Sequence, residues 1–313
     1  MFESQIASTF RRFSKLERTP RMIVFPIVTD LHVILEDIDP ADPGLRNSLN
    51  AVEAIHQADE LFHFDFFADL GDTGLGLIHN RPAGKGLEML RTYAETHRKT
   101  EKPFFVCMGN HDFEEGLSDP EFFGEIMNRI NQERGHHVQF GDNASYGCFD
   151  LPEKKIRLLF LNTGDGNPYL FDEKQLDFLQ EKLQLPQGWE ALLFMHRCPH
   201  KNGDNVNAPE KHPSFHRFEK IVCGSGVVSG IFCGDSHFDA EFQYGGIPGF
   251  VSQGYGGIDQ ESMPECARKN PFDSTRELLA EIVVYRPEMK RIDLLRLGVQ
   301  DSAADRTGSP SIL

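Results

Sequence analysis

Residues 103–112 read PFFVCMGNHD. An apolar run of strand length, Pro103–Met108, ends without a linker in Gly109-Asn110-His111-Asp112. Aromatic and β-branched residues in such a run fit a buried strand. The same construction recurs at four other places: Met22–Thr29 runs into Asp30-Leu31-His32, Phe62–Leu70 into Gly71-Asp72, Ala191–Met195 into His196, and Val228–Cys233 into Gly234-Asp235-Ser236-His237. Loops at the carboxyl ends of parallel strands share one edge of an open α/β sheet, and sites form there. Each of these loops delivers Asp, Asn or His to that edge.

Between these strands lie helical patterns at Gly44–Glu60, Gly84–His97, Pro120–Arg134, Asp172–Leu183 and Pro209–Val222. The first third alternates strand and helix, which predicts a parallel sheet with crossover helices. Further strands are expected at Ser145–Leu151, Ile156–Asn162, Ala240–Tyr244, Phe250–Ser252, Leu279–Tyr285 and Arg291–Leu297. The later ones, separated by glycine turns, suggest hairpins. No repeat, linker or boundary interrupts the series. The expectation is a single mixed α/β domain over 1–298 with two sheets, a helical extension at 1–21 that packs on its own domain, and a flexible tail at 299–313. Glycine-rich Tyr244–Gly257 reads as tight turns that wall the pocket.

Composition narrows the function. Of 313 residues, 39% are hydrophobic and 26% charged, which is globular rather than disordered. The formal net charge of −16 disfavours a partner as polyanionic as nucleic acid. No stretch reaches the roughly 20 apolar residues of a membrane helix, and Met1–Arg21 has no apolar core of a secretory signal. Six cysteines without a C-x-x-C predict reduced thiols and a cytoplasmic protein. Cys198 and Cys233 lie two residues from candidate metal ligands, but a small buried side chain is the better reading of each.

The residue types define the chemistry. Oxygen and imidazole ligands suit Mn, Fe or Zn. In Asp30-x-His32 and Asp235-x-His237, alternation along an extended backbone would point both side chains one way. Glycines at 71, 109 and 234 directly precede Asp72, Asn110 and Asp235, where a missing Cβ would let the chain turn and approach an ion. A lone Asp after a tight turn can bridge two ions.

This ordered series, D-x-H, G-D, G-N-H-D, H and G-x-x-H, resembles the calcineurin-like metallophosphoesterase superfamily over about Asp30–His237. Leu161-Asn162-Thr163 with Gln175-Leu176-x-Phe178-Leu179, and His196-Arg197-Cys198-Pro199, are similar to its class III cyclic nucleotide phosphodiesterase branch. The resemblance implies an α/β fold of two packed mixed β-sheets flanked by helices, a four-layer α/β/β/α sandwich. It implies a dinuclear site in which Asp30, His32 and His237 hold one metal, Asp72 bridges, and Asn110 and His196 hold the other. Asn110 and His111 would meet the substrate, with His111 stabilising charge on the phosphate or protonating the leaving oxygen. A hydroxide bridging the two metals would be the nucleophile. The implied substrate is a small phosphate ester, a phosphodiester or nucleotide-like molecule.

One position departs from the family pattern: Asp235 stands where a His ligand of the second metal is expected. Three carboxylates, Asp30, Asp72 and Asp235, against two divalent ions leave about +1, where a His at 235 would leave about +2. Such a site would be harder, favouring Mn or Fe over Zn, and would hold phosphate less tightly. The rival readings are an interaction protein that kept the fold and lost the chemistry, and a pyrophosphate-type hydrolase on the same scaffold. His79, His200, His212 and His216 read as loop histidines, Asn143 as a turn residue, and the acidic run Glu36, Asp37, Asp39, Asp42 as a solvated loop.

Overall fold

A computed structural model describes residues 2–32, 44–74, 85–112, 124, 129–142, 144–163, 171–199, 213–254, 279–298 and 305–309. The acidic run at 36–42, His79, Asn143, His200, His212, Cys266 and the tail positions 299–304 and 310–313 lie outside them.

The elements in chain order are α1 (Glu3–Phe13), β1 (Ile23–Val28), α2 (Gly44–Phe62), β2 (Phe67–Asp69), α3 (Lys85–Thr96), β3 (Phe104–Val106), β4 (Gln139–Phe140), β5 (Gly147–Leu151), β6 (Ile156–Leu161), α4 (Glu173–Lys182), β7 (Glu190–Met195), α5 (Pro213–Ser225), β8 (Val228–Cys233), β9 (Ala240–Tyr244), β10 (Ile247–Val251), β11 (Leu279–Arg286), β12 (Arg291–Gly298) and β13 (Arg306–Gly308). Residues 129–133, within the helix expected at Pro120–Arg134, are helical. One sheet has the order β13-β12-β11-β1-β2-β3, the other β4-β5-β6-β7-β8-β10-β9. Strands β1, β2 and β3 run parallel, as do β6, β7, β8 and β10.

Strand alternation builds the layers. In β1, Ile23, Phe25 and Ile27 face the second sheet, while Val24 and Val28 join the core under α1, α2 and α3. In β7, Leu192 and Phe194 face the first sheet, and Ala191, Leu193 and Met195 face α4 and α5. The result is the four-layer α/β/β/α sandwich that the motif series implied. Its middle is aromatic. Phe160, Phe194, Phe232 and Phe250, in register on β6, β7, β8 and β10, stack at centroid spacings of 4.9, 5.2 and 5.9 Å. Phe105 of the first sheet caps the row at 4.4 Å from Phe160.

Two expectations are corrected. The alternating aromatic run from Phe62 is not all strand. Helix α2 continues through Phe62, His63 closes it with a positive φ of 55°, and Phe64 N–H donates to the Asp59 carboxylate. The strand begins only at Phe67, because Phe62 and Phe64 fill the helical core instead. Within the tail expected to fray, Arg306–Gly308 forms β13 on β12. Arg306 is the reason. Its guanidinium pairs with Glu281 and Asp239 and donates to the Ala240 and Val251 carbonyls. Arg296, 1% exposed, joins the same carboxylates. Helix α1 is tied in as well, since Arg12 pairs with Asp305 and Thr9 Oγ1 donates to the Arg296 carbonyl.

The Arg306→Ala variant should lose about 3 kcal/mol of stability by urea unfolding, because it removes a cation that the Glu281 and Asp239 carboxylates share with Arg296. The buried pair His56–His97 gives a pH dependence. His56 Nε2 and His97 Nδ1 share a hydrogen bond of 3.0 Å. Burial, the largest cause, holds His56 at about 4 and His97 well below the ordinary imidazole value. The unfolded chain takes up these protons near pH 6.5 and the native chain does not, so they cost stability as pH falls from about 6.5 towards 4. In His56→Gln the slope of unfolding free energy against pH over that window should lessen by up to about 1.4 kcal/mol per pH unit.

Candidate metal centre

The loops after β1, β2, β3, β7 and β8 meet where the carboxyl edges of the two sheets face each other. Asp30 N–H donates to the Gly71 carbonyl and His32 N–H to the Asp72 carbonyl. Within the second sheet, Gly234 N–H donates to the His196 carbonyl. Asp30, His32, Asp72, Asp235 and His237 all have positive φ, between 44° and 67°. Asp-x-His therefore does not converge through an extended backbone, as expected from the sequence; left-handed turns at both residues bring the side chains together. Such backbone is costly for side-chain-bearing residues and persists where its surroundings over-determine it. The glycines also act differently from expectation. Gly71, at φ 103°, makes a turn, but a Cβ on Gly109 would strike the Asp72 carboxylate at 2.1 Å, and one on Gly234 the Thr29 hydroxyl at 2.0 Å. They let the loops pack on one another.

The side chains form two overlapping groups. Ligand atoms of Asp30, His32, Asp72 and His237 lie within 4.8 Å of one another, as do those of Asp72, His196 and Asp235. Asp72 belongs to both. His237 Nε2 is 3.1 Å from Asp30 Oδ1 and 3.3 Å from His32 Nε2. His196 is oriented from the other sheet: its Nδ1 lies 2.9 Å from the Leu70 carbonyl, which can only accept, so Nδ1 carries the proton. Its Nε2 then points at Asp72 Oδ2, 3.2 Å away, and Asp235 Oδ1, 3.4 Å away.

That arrangement fits cations. A neutral imidazole lone pair aimed at two carboxylates is repulsive until a proton or a metal intervenes. Burial opposes charge on His196, but Asp72 and Asp235 outweigh it and hold its pKa well above the ordinary value. At His237 burial is likewise outweighed, here by Asp30. At His32 burial prevails over the neighbouring Asp72 and Asp30 carboxylates and takes it down to about 4. Asp30 Oδ1, Asn110 Oδ1 and His196 Nε2 are buried without a hydrogen-bond partner among the described residues. Acceptor atoms facing each other at these distances are the donor set a divalent ion requires.

Asn110 and His111 follow β3 at the open side. The His111 main-chain N–H donates to Asp72 Oδ1 at 2.7 Å. Its ring is half-buried, 3.8 Å from Asp72 Oδ2 and 5.0 Å from the His32 ring. Every sequence-predicted site residue, Asp30, His32, Asp72, Asn110, His111, His196, Asp235 and His237, therefore lies at this edge. Gly254, after β10, packs on Asp30 and walls the site. His216 sits on α5.

Sequence reasoning missed three supports. Asp112, the last letter of the quoted G-N-H-D, accepts N–H groups from Asp72, Gly74 and Gly109 at 2.8–2.9 Å. Burial pushes its carboxyl up to about 7 despite those bonds. Asp69 accepts from Gly71 N–H and the Thr73 hydroxyl, and burial takes it up to about 8. The third is the Asn162–Gln175 pair, bonded both ways at 2.7 and 2.9 Å, which locks β6 to α4 and seats Thr163 beneath Arg197. Its motif was visible, but its role was not.

No curated protein matches the sequence. A dimetal phosphatase from Danio rerio has a similar structure, with TM-score 0.65, 15% identity, and coverage of 92% of this chain and 99% of that one. GAP50, described as the anchor in the inner membrane complex of Plasmodium, is similar with TM-score 0.51 and 11% identity over 93% of this chain and 90% of its own. Residues 24–239 match the calcineurin-like phosphoesterase family. With that match spanning every loop of the metal centre, this chain belongs to the calcineurin-like phosphoesterase family.

Proposed function

We propose that the protein is a metal-dependent hydrolase of a small phosphate ester, a phosphodiester or nucleotide-like molecule. The observation that carries this reading is the pair of acid–imidazole groups sharing Asp72, with unmatched lone pairs turned inward. Asp30, His32, Asp72 and His237 would hold one divalent ion; Asp72, Asn110, His196 and Asp235 would hold the other. Bound there, two divalent ions supply Lewis acidity at the phosphoryl oxygens and activation of water. The carboxylate-rich donor set favours Mn or Fe over Zn.

The chain's own residues do the rest. Asp72, buried and fixed by Asp112, sets the spacing of the two groups. Asn110 and His111 stand on the open side, where a phosphate ester would enter. His111 donates a hydrogen bond to the ester oxygens, stabilising charge as the P–O bond breaks. His196 Nδ1–H donates to the Leu70 carbonyl and Thr29 Oγ1 donates to Asp30 Oδ2, so Nε2 and Oδ1 stay aimed inward. No helix among the described residues is long and apolar enough to cross a membrane. Cys107, Cys148, Cys198 and Cys233 are buried free thiols, which supports a cytoplasmic setting.

The test is hydrolysis of bis(p-nitrophenyl) phosphate beside p-nitrophenyl phosphate by metal-stripped protein reloaded with Mn. Turnover should be metal-dependent, faster with the diester, and absent in Asp72→Ala; lack of metal uptake by the wild type would defeat the reading. His111→Ala should lower kcat by about 10²–10⁴ while metal content stays at the wild-type level. Loss of metal along with activity would make His111 a structural residue instead.

A further inference from the structure

Arg197 has no part in the roles above, yet it stands beside them. It follows His196 directly, and its main-chain N–H donates to Thr163 Oγ1 at 2.9 Å. That bond survives any side-chain replacement and fixes the residue at the end of β7. The guanidinium Nε lies 3.6 Å from Asp235 Oδ1, outside hydrogen-bonding distance. It is buried and has no hydrogen-bond partner among the described residues. The side chain is 24% exposed and Asp235 21%, so both sit at the mouth. An arginine held against a dinuclear site with its Nε donor unpaired among the described residues is placed to receive an anion.

Charge gives the reason for its position. With Asp235 in the donor set, two divalent ions and three carboxylates sum to about +1. The guanidinium, permanently charged, returns the sum to about +2. We propose that Arg197 binds the phosphoryl oxygens of the substrate and offsets the positive charge that Asp235 removes. This rests on the phosphoesterase reading. The planar fork of Arg matches phosphate oxygens with two parallel N–H donors, which a metal pair alone does not supply. Asp235 and Arg197 then act as a pair: the carboxylate holds the guanidinium at the rim, and the guanidinium faces the incoming anion.

The test measures inorganic phosphate binding to the Mn-loaded protein by calorimetry, with metal content measured on the same samples. Arg197→Met should weaken phosphate by about tenfold or more with metal stoichiometry and affinity unchanged. Arg197→Lys should recover part of that loss, and Arg197→Met with Asp235→His should recover part by restoring the charge. In hydrolysis, Arg197→Met should raise KM more than it lowers kcat. Phosphate affinity unaltered in Arg197→Met overturns the proposal, as does a metal loss that accounts for the phosphate loss, since Arg197 would then only position Asp235. A wild-type protein that loads Mn but neither binds phosphate nor hydrolyses either ester removes the phosphoesterase reading, and this inference with it.

Discussion

The Asp112 carboxylate receives main-chain N–H groups from Asp72, Gly74 and Gly109, and so binds the loop after β2 to the loop after β3. Everything at the metal centre leans on that junction. Asp72 belongs to both ligand groups and sits at φ 53°. A left-handed residue of this kind costs of order 1–3 kcal/mol. The strain is tolerated because Asp72 is held from several directions: its N–H by Asp112, its Oδ1 by His111 N–H, its carbonyl by His32 N–H. A missing Cβ at Gly109 lets the two loops touch. Burial raises the pKa of Asp112, so the three N–H donors do more than align backbone; they favour the charged form against desolvation.

Electrostatics then sets what the site can accept. Carboxylates and imidazole lone pairs converge in a region from which water is largely excluded, and their mutual repulsion is relieved only by cations. In the metal-free chain protons serve, as the raised pKa of His196 and His237 indicates. Divalent ions would displace those protons, so metal uptake and proton release are linked at this centre. The replacement of an expected imidazole by Asp235 adds negative charge at one end of the cluster, and Arg197 stands next to that addition. The departure from the family pattern is therefore confined to one position with a cation beside it, unlike the scattered loss of ligands that a decaying site would show.

Much of this was legible because the signal is short-range. A strand followed at once by Asp, Asn or His can be read from ten residues, and each such reading placed its side chains at the correct edge. The layer order came from the resemblance rather than from spacing. What escaped the sequence depends on partners far along the chain. Asp112 was quoted, but its acceptor role needs Asp72, 40 residues earlier. The tail read as polar and frayed, since nothing near Arg306 reveals that Glu281 and Asp239 await it. The alternation of Phe62, Phe64 and Phe66 satisfies a strand and a helix end equally, and a hydrogen bond from Phe64 N–H to Asp59 decided it.

Each ligand group draws on both sheets. Asp30, His32 and Asp72 come from the first and His237 from the second; Asp72 comes from the first and His196 and Asp235 from the second. The spacing between sheets is therefore a dimension of the metal centre. It is set by the stacked phenylalanines of the middle layer, and by Gly230, where a Cβ would meet Ile292 at 2.6 Å. It is also braced by ions, because Asp239, two residues beyond His237, pairs with Arg296 and Arg306 of the opposite sheet. Arg296 and Asp305 are in turn tied to α1 through Thr9 and Arg12. The helix at one end of the chain and the strand at the other thus bear, through one buried ionic network, on the position of His237. A metal bound between the sheets would add a further tie across the same gap, so inter-sheet packing and metal affinity are two measures of one geometry.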